Sequence, residues 1–203
     1  MLITAIEPRR RAMSAVYIDG EFAVNLDTRT LLENRFDVGC EIDDEDLRRI
    51  IALSDENRAK EKALWLISYR SHSKKELTDK IRRTSSAEAA EKAADRMEEL
   101  GLVNDEDFAR RYADKLIFGK KMSKRAALAE LNRKGIDRET SERVLDEIEV
   151  DYQEQITEFL LRKYKNLGDE KIKRRAVSAL QRLGYGWDDI NRAMRNLQIS
   201  DTE

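Results

Sequence analysis

The chain has 203 residues, 40% apolar and 39% charged, with a formal net charge of −2, one proline and eight glycines. A charged share far above the usual quarter, with so few helix breakers, describes amphipathic helices with solvated outer faces. No apolar run is long enough to cross a bilayer, Met1 to Glu7 carries no secretory pattern, and the lone Cys40 rules out an internal disulfide and fits a reducing cytoplasm.

The first sixty residues differ from the rest. Met13–Ile18 and Glu21–Val24 are β-branched and aromatic runs separated by Asp19-Gly20, a strong hairpin signal because a type I′ turn needs positive φ at both central residues. Leu2–Ile6 is expected to pair as a third strand. Arg9-Arg10-Arg11 beside it reads as a solvated loop. Two short helical pieces follow, near Thr28–Asn34 and Asp43–Ala52.

From about Asp55 the period becomes helical. Ala59, Ala63, Leu66, Ile67 and Arg70 form one helix, and Ser73-Lys74-Lys75-Glu76 is a capping box opening a short helix with Leu77 and Ile81 inside. Ser85-Ser86-Ala87-Glu88 reads as a second box, before a helix with Ala90, Ala93, Ala94, Met97 and Leu100 inside, stopped by Gly101. The plan then repeats. A helix over Asp105–Phe118 ends at Gly119, Ser123 caps a short helix with Ala127, Leu128 and Leu131, and Asp137 caps one with Val144, Leu145 and Ile148. A third copy uses Ile156, Phe159 and Leu160, then Ile172, Ala176 and Leu180, then Ile190, Ala193, Met194 and Leu197.

The middle helices stop at Ser85, Gly135 and Gly184, about fifty residues apart, which makes Ile81, Leu131 and Leu180 equivalent core positions. Ser85 lacks glycine's freedom to turn left-handed, so the first copy is expected to turn differently. Stacked helical units present a long surface rather than a closed pocket, which directs the search toward binding.

Catalysis finds little support. His72 is the only histidine and sits at a helix end, where a capping or solvent role is expected. No Cys/His set has zinc spacing, and no glycine-rich phosphate loop occurs. Asp43-Asp44-Glu45-Asp46 and Asn104-Asp105-Glu106-Asp107 precede apolar periodic segments and read as helix starts. Trp65 and Trp187 read as packing residues. The reading is a non-catalytic protein without metal or cofactor.

The cations say more. Met1–Lys60 holds 9 basic and 13 acidic residues, whereas Phe108–Glu203 holds 21 and 17. Lys120, Lys121, Lys124, Arg125, Arg133 and Lys134 surround the middle helix of the second copy, and Arg162, Lys163, Lys171, Lys173, Arg174 and Arg175 do so in the third. Stacking is expected to align them into one stripe suited to phosphates or to an acidic protein surface. Helix–turn–helix spacing invites a DNA-reader interpretation, but the second helices share no base-reading set and open with Glu139 or Asp188-Asp189.

Ala63-Leu64, Tyr69–Leu77, Leu100–Ala109, Gly119 with Leu128, Leu131 and Lys134–Ile136, and Leu183-Gly184-Tyr185 with Ile190 and Ala193 together resemble the regulatory protein RecX family, over about Lys62–Leu197. The resemblance implies a mainly α fold of three tandem three-helix units in an elongated, curved array after a small N-terminal β-hairpin module. The expected divisions are 1–54 for that module and 55–104, 105–150 and 151–203 for the units. It further implies a monomeric, cytoplasmic modulator that binds the RecA recombinase filament on DNA and inhibits its ATPase, strand exchange and coprotease activities in DNA repair and the SOS response. Direct binding to single- or double-stranded DNA is expected to be weak. The alternative is a helical-repeat nucleic-acid-binding module acting without RecA.

Overall fold

The computed structural model describes residues 1–200, with side chains through Leu197; the last three positions of the 151–203 segment lie outside the described residues. The chain divides into two compact units, residues 1–104 and 105–203.

The first unit opens with three antiparallel strands in the order β1 (Ile3–Arg9), β2 (Met13–Ile18) and β3 (Glu21–Asp27). Asp19 (φ 51) and Gly20 (φ 86) form the expected two-residue turn, and the Asp19 carboxylate accepts a bond from the Leu2 N–H at 2.8 Å. Strand β1 runs further than expected and takes in Arg9, so Arg9 ends a strand and only Arg10–Ala12 form the turn. Ile3, Val16, Ile18 and Leu26 point into one core with Leu31, Phe36 and Ile50.

Helix α1 (Thr28–Glu33) is capped by Asp27, whose carboxylate accepts from the Thr30 N–H at 2.9 Å. Helix α2 (Asp44–Tyr69) is one 26-residue element where the sequence suggested two. Neither Pro nor Gly interrupts that stretch, so the backbone ladder continues. Its start buries Ile50 under the sheet, and its end buries Ala59, Ala63 and Leu66 in a second core. Between them the Ser54 hydroxyl accepts from the Asp27 N–H at 2.7 Å, and the Asn57 amide donates to the Thr30 hydroxyl at 2.9 Å.

Helices α3 (Lys74–Ile81) and α4 (Ala87–Glu99) complete the first bundle. Ser73 caps α3, as read from sequence, by accepting from the Glu76 N–H at 3.2 Å. The second box falls one residue later than expected: Ser86, not Ser85, caps α4 and accepts from the Ala89 N–H. The first copy does turn differently, with the Thr84 and Ser85 N–H groups both donating to the Ile81 carbonyl, at 2.9 and 3.1 Å. Gly101 (φ 69) ends α4 in the left-handed region.

Two aromatic expectations are corrected. Trp65 is 51% exposed and Trp187 57%. Trp65 precedes the buried Leu66 and lies about 100° around the helix from it, so it misses the inner stripe. Trp187 opens the last helix, before its buried turns begin.

His72 is likewise buried rather than solvated. Its Nδ1 lies 2.8 Å from the Arg70 carbonyl, which can only accept, so Nδ1 carries the proton. Nε2 is then the acceptor for Lys80 Nζ at 2.9 Å. Burial, followed by the charges of Arg70 and Lys80, lowers its pKa from the ordinary 6.5. The unfolded chain therefore binds a proton near 6.5 that the folded chain refuses, and stability falls as pH drops through that value. The slope from this one group is at most about 1.4 kcal/mol per pH unit. Denaturant unfolding at a series of pH values is expected to show it, and His72→Gln to flatten it between about pH 7 and 5.

The second unit contains α5 (Asp105–Asp114), a π-helical turn (Lys115–Gly119), α6 (Lys124–Arg133) and α7 (Arg138–Asp146), then α8 (Tyr152–Lys163), α9 (Glu170–Arg182) and α10 (Trp187–Ser200). Ser123 and Asp137 cap α6 and α7 as expected. Gly135 (φ 87) and Gly184 (φ 90) turn left-handed at the two stops. Gly119 does not: the left-handed residue there is Lys121 (φ 56), after the π turn. Ile81, Leu131 and Leu180 are all 0% exposed, at matching places in three separate cores.

Candidate functional site

The second unit's two bundles join through a small set of polar bonds. A π turn widens the helix and leaves carbonyls without their usual partners. The buried Gln155 of α8 donates its side-chain amide to one of these, the Ile117 carbonyl, at 2.8 Å. The Ser123 N–H donates to the Leu183 carbonyl at 2.9 Å, Arg125 Nη2 to the Gly184 carbonyl at 3.2 Å, and the Tyr185 hydroxyl to the Lys121 carbonyl at 2.9 Å. Gln155→Leu keeps the volume and strands a buried acceptor, a change worth about 1–3 kcal/mol. Urea unfolding of the full chain is expected to register that loss.

This junction forms a cleft of about 440 Å³, lined by the segment Phe118–Lys121 from one bundle and by Glu158, Phe159, Arg162 and Lys163 from the other. Lys121 Nζ pairs with Glu158 at 2.6 Å, holding that carboxyl below its usual range. Lys163 Nζ stands 5.2 Å from the Phe159 ring centre. Lys120 and Arg162 are exposed, and neither has an ion-pair partner among the described residues. Phe118 is 48% exposed. Four cations and two aromatic rings thus face one concavity against a single carboxylate.

The other cations named from sequence lie elsewhere on this unit. Lys124 and Arg125 open α6, and Arg133 and Lys134 close it. Arg133 pairs with Glu130 at 3.2 Å, and Lys134 Nζ sits 5.8 Å from the Tyr112 ring centre. Lys171, Lys173, Arg174 and Arg175 occupy the first turns of α9, and Lys173 reaches Glu170 at 3.6 Å. Arg174 precedes Gly184 by ten residues, about 15 Å of helix rise. The structure therefore brings Lys120 and Lys121 together with Arg162 and Lys163. Arg125 meets Gly184, just past the end of α9, whereas Arg174 and Arg175 lie near that helix's start.

Sequence reasoning placed Arg162 and Lys163 in the third copy's basic cluster, and Phe159, read as core, does pack against that bundle's core while also lining the cleft. The missing signal was the π turn, which has no residue signature in Lys115-Leu116-Ile117-Phe118-Gly119.

The acidic clusters serve as helix starts, as expected. Glu106, in the first turn of α5, pairs with Arg143 and Arg110 at 2.8 Å each, which hold its carboxyl down to about 2. Among the described residues no group of three or more His, Cys, Asp or Glu side chains is placed to hold a metal ion, and no helix is long and apolar enough to cross a membrane.

Residues 104–145, spanning α5–α7, match the family model described as RecX, second three-helix domain. A protein of Bacillus subtilis (strain 168) named Regulatory protein RecX is 30% identical over 196 residues, covering 93% of this chain and 73% of that protein. One of the same name from Caldanaerobacter subterraneus subsp. tengcongensis is 31% identical over 150 residues, covering 73% of this chain and 76% of its own length. Two solved structures share the fold. A crystal structure of regulatory protein RecX aligns with a TM-score of 0.61 at 19% identity, over 94% of this chain and 97% of that one. RecX from Lactobacillus salivarius aligns at 0.56 and 22%, over 71% and 97%.

Proposed function

The chain belongs to the regulatory protein RecX family, and from that premise we propose that it binds the filament formed by the RecA recombinase on DNA and lowers the filament's ATPase, strand-exchange and coprotease activities. The observation that carries the reading within the molecule is the cleft where Lys120 and Lys121 meet Arg162 and Lys163. A concave basic surface raises the local potential and draws in an anionic partner. A protein–DNA filament offers both phosphates and acidic protein surface. The cations on α6 and those on α9 would add separate contacts outside the cleft. The protein acts as a cytoplasmic monomer in this reading, and it needs no chemistry of its own.

The test is RecA ATP hydrolysis on single-stranded DNA with rising amounts of this chain. The rate is expected to fall as the amount of the chain rises. An unchanged rate across the titration, with the chain folded by circular dichroism, sinks the reading.

A second reading, nucleic-acid binding without RecA, draws on Phe118 and Phe159 standing among those cations. A salt titration on naked DNA separates the two, since affinity carried by phosphates alone falls steeply with salt.

A further inference from the structure

We propose that the first unit carries a binding site for single-stranded nucleic acid along one face of α2, beside the β1–β2 turn. Arg58, Lys62, Trp65 and Tyr69 follow one another at spacings of four, three and four, which places them on one helix face. That face runs about 16 Å. Trp65 and Tyr69 are 51% and 73% exposed, with ring centres 4.8 Å apart. Lys62 Nζ stands 4.0 Å from the centre of the indole ring.

Two clefts meet along this face and share Met13 and Arg58. The larger, about 770 Å³, adds Arg11, Lys62 and Trp65, and the other adds Arg9 and Arg10. The acids in the lining are Asp27, buried and engaged in capping α1, and the exposed Glu61. Acidic residues outnumber basic ones in Met1–Lys60, yet Arg9, Arg10, Arg11 and Arg58 all line these clefts. The turn bearing the arginines is costly and fixed. Arg11 (φ 61) and Ala12 (φ 53) both hold left-handed backbone, and the Ala12 carbonyl accepts from the Thr28 N–H at 2.8 Å. Such conformations in non-glycine residues cluster where function requires them.

The chemistry selects the ligand. Guanidinium and ammonium groups neutralise phosphates, while exposed indole and phenol rings offer planes for bases. Only an unpaired strand can lay its bases on such planes. A duplex keeps its bases stacked inside, and α2 is packed on the sheet and α4, so it is not free to enter a groove. The site needs no recombinase and stands independently of the filament reading.

The test uses the full chain carrying Trp187→Phe, which leaves Trp65 as the only tryptophan. Short oligothymidylate and oligouridylate are titrated at low salt, with a DNA duplex of equal length and poly-glutamate as further arms. Quenching of Trp65 fluorescence by a single strand is expected, and the stronger of the two identifies DNA or RNA as the source. Binding through Arg10, Arg11, Arg58 and Lys62 predicts a slope of log affinity against log salt of about −3. Trp65→Ala is expected to weaken binding, read by anisotropy of a labelled strand, about tenfold. The pair Arg10→Glu and Arg11→Glu should weaken it further and flatten the slope, with circular dichroism unchanged. Absence of quenching by either strand, equal affinity for duplex or poly-glutamate, or full affinity in the arginine double variant overturns the proposal.

Discussion

Gly184→Ala is expected to cost the 105–203 unit about 3 kcal/mol. Two effects add. The backbone at Gly184 is left-handed, at φ +90, where a Cβ is strained in any surroundings. An added Cβ would also lie 2.4 Å from the Ser123 hydroxyl and 2.5 Å from the Ala126 Cβ, at the start of α6. Neither neighbour is the far end of a flexible side chain, so the two bundles must part. Gly101→Ala supplies the control: its φ is +69, but nothing lies within 4 Å of the added atom, and the conformational cost alone is about 1–2 kcal/mol. Urea unfolding followed by Trp187 fluorescence, in a Trp65→Phe background, reads the first change. The same background carrying Gly101→Ala, followed by circular dichroism, reads the second. Equal losses would mean that the bundles do not depend on close approach at Gly184.

The second large effect concerns function. Lys120→Glu with Arg162→Glu inverts the charge at two exposed positions of the cleft. Neither is bonded to another described side chain, so the fold is expected to persist. If the cleft meets an anionic surface of the filament, the concentration needed to halve RecA ATP hydrolysis should rise about tenfold or more. The pair Lys171→Glu and Arg174→Glu makes the same charge change on α9, outside that concavity. A smaller shift is expected there because a convex helix face does not focus the field. Unaltered inhibition by the cleft variant would remove the cleft from the argument, and a larger shift from the α9 variant would move the contact to that helix.

Local signals were legible where one short segment decides the outcome. Asp19-Gly20 specifies its turn through backbone sterics alone. Ser73, Ser123 and Asp137 each satisfy an N–H three residues on and mark a helix start. Apolar spacing placed Ile81, Leu131 and Leu180 at the centres of their bundles. What stayed hidden depends on partners distant in the chain. The bonds from the middle of α2 to the end of β3 and to α1, Ser54 with Asp27 and Asn57 with Thr30, leave no mark in the local sequence. His72 reads as a surface cap until Arg70 and Lys80 close around it. The cleft was half legible: Lys120, Lys121, Arg162 and Lys163 were all named for their charge. The meeting of the two pairs required the π turn and its bond to Gln155. Trp65 shows the opposite error, since an aromatic residue at helical spacing suggests burial and only the phase of the neighbouring Ala63 and Leu66 reveals the outward face.

The unbroken α2 has one more consequence. A single rigid element belongs to both the sheet and the first bundle, so neither can melt while the other stays intact. The region up to Asn104 should behave as one cooperative foldon, its strand amides and its α4 amides exchanging hydrogen with solvent through the same opening event. A truncated chain starting inside α2 would lose its Asp43 cap and the Ile50 anchor at once. It should emerge frayed and readily cut by protease, rather than as an independent bundle.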